Sequence, residues 1–502
     1  MDMSYAQFEP GIYNNIPMLQ TIRMFDWKVE FGEEGFDAIV GNPPYIRVQN
    51  LVRYSPSEYA FYKSEYSGYM TAETELMDKY YLFIERACSL LKEGGLIGYI
   101  VPHKFMYILS GESLRRYLST QKSVSKIIHF GVHQVFSNRS TYTCILVLAK
   151  SKQESFNIAF VSDWNQFLFD HTVKFDTYSE DVLSEKPWTF IPSEISVHLT
   201  AIRPRCSRLN ELADIFVGVQ TSADKVYIIH PTSEDDEYVY FTDKNQVQQK
   251  VEKGILRKSV YDARLRRYEQ IEANSYIIFP YENSNGKPQL IDIEIMRSRF
   301  PATFEYLSSF REELDKRNRP NRTDENWYAY GRSQSLRRFV SEEHLIWPVL
   351  SLDANYVYDK ELVVFTGGGN GPFYGIEMKK QTRESIFYVQ AILNHWLMEL
   401  LVRKSASTFR GGYYSHGKQF IEQLPIYRIN FDSSDQAQLH GEIVEKVHQI
   451  ERLTSSMNAA QDSATKSTLR RSVVAANGDL NAMIDRIYGV EGMRMENVDE
   501  SD

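Results

Sequence analysis

Apolar residues in the first 150 positions alternate between short continuous runs and helically spaced stripes. The run at residues 38–40 predicts a buried strand over residues 36–40. A stripe at helical spacing predicts a helix that ends at Gly94-Gly95, because glycine commonly follows the last helical turn. The stripe consists of Met77, Tyr80, Tyr81, Ile84, Ala87, Cys88 and Leu91. Further strands are predicted at residues 96–101, 124–130 and 141–148, with a helix at residues 111–119 capped by Ser110.

This alternation of strands and helices predicts an α/β fold with a doubly wound sheet. The short connection at residues 133–140 predicts that the last two strands pair in antiparallel fashion. Residues 46–75 are polar and rich in tyrosine, and we expect them to form a long mobile loop over the site. Residues 433–490 are predicted to be helical. An apolar stripe suited to a hairpin or bundle contact consists of Leu439, Ile443, Val447, Ile450 and Leu453.

The composition is that of an ordinary globular protein with two to four domains. The chain has 502 residues, of which 43% are hydrophobic and 25% are charged. No apolar run approaches the ~20 residues of a membrane span, and the N-terminus lacks the features of a signal peptide. The three cysteines form no paired motif, and His103, His129 and His133 fit no metal spacing. We therefore expect a cytoplasmic protein that contacts no membrane and binds no metal.

The net charge of −9 argues against a protein that coats polyanions, but it leaves local basic faces open. Residues 253–340 hold 17 Lys and Arg against 12 Asp and Glu, so their local net charge is 17 − 12 = +5. Candidate phosphate contacts in this segment are Lys316, Arg317, Arg319, Arg322, Arg332, Arg337 and Arg338. The alternative is a solvated face, which is the usual fate of a charge run.

The stretch Asn42-Pro43-Pro44-Tyr45 follows the first predicted strand and cannot continue it. Each proline fixes its own φ and lacks an N–H, and each residue before a proline is restricted to extended conformations. These four residues therefore predict a rigid loop at the carboxyl end of a strand, where open α/β sheets place their ligands. A simple turn without a chemical role is the alternative.

The groups on this loop suit a planar amine, which is a poor nucleophile because its lone pair is delocalised. The Asn42 side-chain oxygen and the Pro43 carbonyl can accept hydrogen bonds from its two N–H groups and free the lone pair. Pro44 keeps the loop from closing on itself. Tyr45 offers a π-face, and base–aromatic stacking is worth ~1–3 kcal/mol. None of these groups is a strong proton acceptor. The loop is therefore predicted to act by preorganised hydrogen bonding and by positioning a nucleobase that is rotated out of a duplex.

Residues 36–45 resemble the catalytic motif of amino-group methyltransferases that use S-adenosylmethionine, in the adenine-N6 DNA group. Residues 78–85 and 90–102 resemble the helix and strand that follow this motif in TaqI-like enzymes. Phe130-Gly131 and Gln134-Val135-Phe136 resemble the later motif that supplies an aromatic ring to the flipped base, and Phe136 is the matching ring.

The resemblance extends over residues 26–490. Residues 393–394 and 414–426 resemble parts of a TaqI-like target-recognition domain, and residues 484–489 resemble the closing helix of such chains. The fold implied is the second half of a Rossmann-like methyltransferase sheet, then an α+β recognition domain and a helical segment. The implied divisions are a weakly patterned segment at 1–25, a catalytic half at 26–150, a connector at 151–205, a target-recognition domain at 206–430, and a helical segment with an acidic tail at 431–502.

The chain departs from the family pattern at the methyl donor. A Gly-rich donor-binding turn precedes the catalytic loop in this group, whereas the 35 residues before Phe36 hold no such turn. The glycines at 367–369 lie within the recognition-domain resemblance and are discounted. We therefore expect an incomplete S-adenosylmethionine site and a protein partner that supplies the N-terminal half; a truncated gene is the alternative. No nuclease motif is evident.

The resemblance implies a site-specific DNA adenine-N6 methyltransferase from a restriction–modification or phage-defence system, acting on double-stranded DNA. Asn42 and Pro43 would hold the amino group, Pro44 would stiffen the loop, and Tyr45 and Phe136 would sandwich the flipped base. Two alternatives stay open. The chain could be a non-catalytic DNA-binding specificity protein, or a protein-glutamine methyltransferase, although proteins of that class are compact and lack some 300 further residues.

Overall fold

The computed structural model describes residues 27–493, apart from residues 33, 132, 137–140, 162, 285, 318–322, 340–342, 368–371 and 407–412. The chain forms two compact units. The first unit comprises Met1–Ser193 and Lys404–Gly412, and the second comprises Glu194–Arg403 and Tyr413–Asp502. The predicted connector at residues 151–205 is therefore divided between the two units, and the C-terminal helical segment belongs to the second.

A six-stranded mixed sheet forms the centre of the first unit. Its strands are β1 (Phe36–Gly41), β2 (Leu91–Pro102), β3 (Val124–His129), β4 (Thr143–Ala149), β5 (Ser155–Phe160) and β6 (Asp176–Ser179), arranged in the order β1-β2-β4-β3-β5-β6. Strands β1 and β2 pair in parallel, as do β3 and β5, and the other pairs are antiparallel. The predicted antiparallel pairing of β3 with β4 is confirmed. The carboxyl ends of β1, β2, β3 and β5 consequently lie along one edge of the sheet.

Helices cover the sheet of the first unit. They span Trp27–Phe31, Val48–Tyr54, Pro56–Lys63, Lys79–Leu90, Glu112–Gln121 and Trp164–Asp170. The seven stripe residues predicted for the first long helix are all buried, although Met77 lies just before that helix and Leu91 begins β2. The predicted cap at Ser110 is wrong, since Gly111 precedes the helix Glu112–Gln121 and no side chain caps it.

The role predicted for Gly94-Gly95 is also wrong, because the helix ends at Leu90 and the two glycines lie inside β2. Phe36 pairs with Leu91 and Ala38 pairs with Leu96. One residue separates the partners on β1 and four separate them on β2, so the glycines lie in a bulge. Gly94 has a φ of +77°, and a Cβ on Gly95 would lie 2.9 Å from the Phe36 carbonyl oxygen. The glycines therefore permit close approach of β2 to β1.

Residues 46–75 form part of the core, and the prediction of a mobile loop is wrong. Two helices and a short 3-10 turn, Met70–Ala72, occupy this segment, and Leu51, Phe61 and Tyr62 are buried. A buried ion pair joins Lys79 to Glu58 at 2.6 Å, with 3% and 7% of the side chains exposed. Since the partners lie 21 positions apart, local sequence patterns could not indicate this contact.

The second unit contains several small sheets and a four-stranded sheet of order β19-β17-β20-β8. Its strands are β7 (Cys206–Arg208), β8 (Ala213–Val217), β9 (Ile228–Ile229), β10 (Ser233–Glu234), β11 (Tyr238–Thr242), β12 (Gln248–Glu252), β13 (Leu256–Ser259), β14 (Ser275–Ile278), β15 (Tyr281–Ser284), β16 (Lys287–Leu290), β17 (His344–Pro348), β18 (Leu350–Ser351), β19 (Val357–Asp359), β20 (Phe373–Met378), β21 (Tyr414–Ser415) and β22 (Pro425–Tyr427).

The helices of the second unit include two long C-terminal ones. In the described part of this unit the helices span Ser193–Ile202, Leu209–Leu212, Asp224–Tyr227, Ile293–Arg299, Pro301–Ser309, Arg311–Asp315, Ile386–Leu393, Trp396–Ser405, Lys418–Ile421, Ser434–Ala459 and Ser463–Tyr488. The last two pack against each other, which confirms the predicted hairpin. Ile443, Val447 and Ile450 of the predicted stripe are buried. Among the residues that the structure describes, no helix is long and apolar enough to cross a membrane.

We predict that replacing Lys79 with Met lowers the free energy of unfolding by about 3–5 kcal/mol, because Glu58 is left as an uncompensated buried charge. Adding Glu58→Gln should restore most of the loss, since the amide oxygen can still accept the hydrogen bond from Tyr62. Urea unfolding followed by tryptophan fluorescence measures both effects. Arg116→Met, which breaks the exposed pair with Glu73, is the control and should cost under about 1 kcal/mol. A double variant no more stable than Lys79→Met would contradict this account.

Candidate active site

Several segments of chemical interest meet at the sheet edge formed by the carboxyl ends of β1, β2, β3 and β5. Residues 42–45 follow β1, His103 follows β2, and residues 130–131 and 133–136 follow β3. This edge is where the parallel strands of an open α/β sheet place ligands. The sequence prediction for the Asn-Pro-Pro-Tyr stretch, a loop at the end of a strand, agrees with this position.

The two predicted acceptors on the loop are not engaged by the part of the chain that the structure describes. Asn42 is exposed, and its side chain makes no hydrogen bond to a described residue. No backbone hydrogen bond between described residues reaches the Pro43 carbonyl, whereas the Pro44 carbonyl accepts one from the Ile46 N–H at 3.2 Å. The exposed Asn42 side chain can therefore accept a hydrogen bond from a ligand, and the carbonyl of the buried Pro43 is left without a backbone donor among the described residues.

Tyr45 is held rigidly beside these acceptors. Its hydroxyl donates to the Ile100 carbonyl of β2 at 2.7 Å, and its ring meets Tyr80 edge-on at 6.0 Å and 77°. The Tyr80 hydroxyl in turn donates to the Pro102 carbonyl at 3.3 Å. Burial raises the pKa of the Tyr45 hydroxyl well above its ordinary value. Tyr45 therefore offers a fixed aromatic ring rather than a base.

The exit of the loop is bound to the start of the helix Lys79–Leu90. The Val48 N–H donates to the Met77 carbonyl at 3.0 Å, and the Lys79 N–H donates to the Ile46 carbonyl at 2.8 Å. Lys104, just beyond β2, forms an ion pair with the buried Asp78 at 3.3 Å. The backbone contacts fix the exit of the loop, and the pairing of Gly41 with Tyr99 of β2 fixes its entry, so its acceptors and ring keep their relative positions.

A pair of histidines, which the sequence did not single out as a unit, shapes the turn after β3. The rings of His103 and His129 lie 4.0 Å apart. Nε2 of His103 donates to the Gly131 carbonyl at 3.2 Å, and the Gly131 N–H donates to Nδ1 of His129 at 3.0 Å. Burial lowers the pKa of His103 to about 4 and holds that of His129 well below its usual value. Both rings are therefore neutral near pH 7 and can hold Gly131 at its φ of +56°.

The two aromatic residues of the later motif have different environments. Phe130 is buried and packs against Trp164 at 5.5 Å and Phe167 at 5.6 Å. Phe136 is half-buried in the segment that follows this turn. The Phe130 ring is thus part of the core, while Phe136 retains a partly accessible face.

An apolar cavity of about 580 Å³ lies beside β1, and its lining includes Trp27, Ile39, Phe83 and Tyr99. Among the described lining residues, Arg86 is the charged one and none carries a carboxylate. Among the described strands β1 is an edge strand, and Val40 is 85% exposed. No residue of β1 is buried, so the prediction of a buried strand is wrong. Within the described part of the chain, this edge therefore lies open beside an apolar cavity.

The predicted basic cluster of the second unit consists of two kinds of side chain. Lys316, Arg332 and Arg337 are exposed. Arg317 donates to three backbone carbonyls, and Arg338 pairs with Glu377 and with Asp214. Arg319 and Arg322 lie outside the described residues.

Two family descriptions match separate parts of the sequence. Residues 4–136 match the Eco57I restriction-modification methylase family, and residues 263–426 match the TaqI-like C-terminal specificity domain. Both matches agree with the family resemblance found in the sequence.

Individual relatives agree with these matches. The chain is 32% identical over 442 residues to the type II restriction enzyme and methyltransferase RM.Eco57I of Escherichia coli, covering 85% of this chain and 44% of that protein. It is 24% identical to the type II methyltransferase M.BanIII of Aneurinibacillus aneurinilyticus, covering 72% of this chain and 64% of the relative. The chain thus spans about half the length of the curated relatives it matches.

A solved structure shares the fold. The type IIL restriction-modification enzyme MmeI, solved in complex with DNA, aligns with a TM-score of 0.58 and 12% identity over 94% of this chain and 56% of that one. From these matches, the chain carries an Eco57I-like restriction-modification methylase domain and, after it, a TaqI-like C-terminal specificity domain.

Proposed function

We propose that this chain provides the catalytic loop and the specificity part of a DNA methyltransferase that modifies adenine at N6 in a restriction–modification system. One observation carries the proposal: two unengaged acceptors, Asn42 and the Pro43 carbonyl, lie beside the fixed ring of Tyr45 at the ligand-binding edge of the sheet. The similarity to type II methyltransferases supports the reaction class.

The proposed mechanism uses hydrogen-bond acceptors rather than a base. The Asn42 oxygen and the Pro43 carbonyl accept the two N–H groups of the adenine amine, which localises the nitrogen lone pair. S-adenosylmethionine, when bound, supplies an electrophilic methyl group on sulfur. Because the loop is fixed at both ends, its acceptors need little reorganisation during the reaction, which is the condition for large electrostatic stabilisation.

The adenine must leave the duplex to reach this loop, since its amine is otherwise paired and stacked. In our proposal the Tyr45 ring contacts one face of the extruded base and Phe136 contacts the other. Pro44 contributes only rigidity to the loop. Each stacking contact can offset part of the unstacking cost, as base–aromatic contacts are worth ~1–3 kcal/mol.

The cavity beside β1 does not fit the methyl donor. S-adenosylmethionine carries a ribose, an amino group and a carboxylate, whereas the lining is apolar with one arginine and no carboxylate. We therefore propose that the donor is bound with residues outside the described part, on an upstream segment or a partner chain. The free edge of β1 and the apolar cavity beside it are suited to receive a strand and a helix from that half.

For DNA affinity, we propose phosphate contacts by the exposed Lys316 and Arg337, and we keep Arg319 and Arg322 as predictions. Arg317 and Arg338 serve internal contacts in this proposal. The second candidate function is a DNA-binding specificity protein without activity, and the largely apolar lining of the cavity, with no carboxylate among its described residues, favours it. Donor binding and methyl transfer separate the two candidates.

Asn42→Ala should reduce methyl transfer about 100- to 1,000-fold, the effect of losing one preorganised hydrogen-bonding group at a reacting centre. The assay follows tritium from labelled S-adenosylmethionine into duplex DNA in the complex that contains the donor-binding half. DNA affinity, measured by fluorescence anisotropy, should be nearly unchanged because Asn42 bears no charge. Gln49→Ala, an exposed neighbour, is the control. Full activity of the Asn42 variant would remove Asn42 from the mechanism.

The isolated chain should bind no S-adenosylmethionine in equilibrium dialysis, since the described lining of the cavity offers no carboxylate to the ribose or the amino group of the donor. Addition of the donor-binding half should give both binding and transfer to DNA. Stoichiometric binding by the chain alone would show that our account of the donor site is wrong. Binding without transfer in the full complex would favour the non-catalytic candidate.

A further inference from the structure

A short segment of the second unit, residues 218–222, is held between two neighbouring segments by backbone hydrogen bonds. On one side, the Val219 N–H donates to the Phe365 carbonyl at 2.9 Å, and the Gly367 N–H donates to the Val219 carbonyl at 2.8 Å. On the other side, the Gly331 N–H donates to the Thr221 carbonyl at 3.0 Å. We use the name recognition platform for residues 218–222 together with residues 331–334.

Close packing excludes a side chain at two positions of the platform, against backbone at Gly218 and against the Ser222 side chain at Gly331. A Cβ on Gly218 would lie 2.2 Å from the Phe365 carbonyl oxygen, and a Cβ on Gly331 would lie 2.1 Å from the Ser222 hydroxyl. The Arg332 N–H also donates to the Gln220 carbonyl at 3.1 Å. The platform is therefore a rigid surface although it consists of loops.

Arg317 fixes the inner side of this surface. Its guanidinium donates to the Thr221 carbonyl at 2.7 Å and to the Trp327 carbonyl at 3.0 Å, while Nε donates to the Leu314 carbonyl at 2.9 Å. The guanidinium also lies 5.5 Å from the centre of the Tyr227 ring. Arg317 thus acts as a positioning residue, and its charge is directed into the protein.

The outer side of the platform carries polar side chains. Ser222, Arg332 and Ser333 are exposed and Gln220 is half-buried, and none of these side chains hydrogen-bonds to another described residue. Gln220 and Arg332 face each other across an antiparallel bridge, so their Cβ atoms are roughly 4.5–5.5 Å apart on one face. They form a pair of long hydrogen-bonding side chains on a rigid support.

We infer that the recognition platform reads base edges in duplex DNA through Gln220 and Arg332, with Ser222 and Ser333 beside them. This inference rests on the proposed function. Arginine forms bidentate hydrogen bonds with guanine and glutamine forms them with adenine, whereas serine can hydrogen-bond to either base. Lys316 precedes Arg317 and Arg337 follows the platform, so these exposed cations can contact phosphates on its flanks, where they position the protein without reading sequence.

A duplex fits this surface better than a protein partner does. The platform itself carries one charged side chain, that of the exposed Arg332, and Lys316 and Arg337 are two further exposed cations near it in the sequence. The platform exposes no large hydrophobic side chain, whereas the centre of a protein interface is depleted of charge and enriched in aromatic residues. The combination of fixed backbone, positive charge and hydrogen-bonding side chains corresponds to direct readout in a groove.

The test is selection from a pool of randomised duplexes by the full chain, followed by sequencing of the bound DNA. The wild type should enrich one motif. Gln220→Ala and Arg332→Ala should each lose the preference at one or two positions of that motif, reducing discrimination there by roughly 5- to 100-fold. Arg332→Lys keeps the charge but loses the planar fork, so it should relax the same position as Arg332→Ala.

Lys316→Ala is the matched control for charge. It should weaken binding to all sequences and reduce the salt dependence of affinity, while the selected motif stays the same. Thermal melting curves that match the wild type show that the variants are folded. An unchanged motif in both Gln220→Ala and Arg332→Ala would overturn the platform as the reader. A wild-type chain that binds DNA but enriches no motif, or does not bind it, would overturn the proposed function itself.

Discussion

The parallel pairing of β1 with β2 is the constraint on which the first unit depends. Parallel neighbours require a crossover connection, and residues 42–90 provide it with three helices. The pairing brings the loop after β1 to the end of β2, where the Ile100 carbonyl can accept the Tyr45 hydroxyl at 2.7 Å. Gly95 allows the two strands to approach at the bulge. Without this pairing, the acceptors and the ring would not share one edge of the sheet.

Much of this arrangement could be predicted from local sequence. The β-branched run before Gly41 and the two prolines dictate a strand followed by a stiff loop, and the spacing from Tyr80 to Cys88 dictates a buried helical face. These features depend on neighbouring residues, so a single sequence is enough to find them. The role of Gly94-Gly95 was misjudged because a glycine pair fits a helix end and a bulge equally well.

Features that rest on contacts distant in sequence could not be found in this way. The polar composition of residues 46–75 suggested a loop, but the ion pair of Glu58 with Lys79 makes this segment part of the core. Likewise, Arg317 and Arg332 belong to the same basic segment of the sequence. The structure shows that Arg317 donates hydrogen bonds to three carbonyls, whereas Arg332 faces solvent. The neighbouring rings of His103 and His129 come from the ends of different strands.

The catalytic loop and the methyl-donor site depend on different parts of the structure. Three features within the first unit set the geometry of residues 42–46: the two prolines, the hydrogen bond from the Tyr45 hydroxyl to β2, and the hydrogen bond from the Lys79 N–H to the Ile46 carbonyl. The loop can therefore be preorganised before any donor is present. The edge of β1, with Val40 exposed and an apolar cavity beside it, has no partner strand among the described residues. Pairing at that edge would bring a donor-binding segment next to acceptors that are already in position, so assembly rather than rearrangement of the loop would control the reaction.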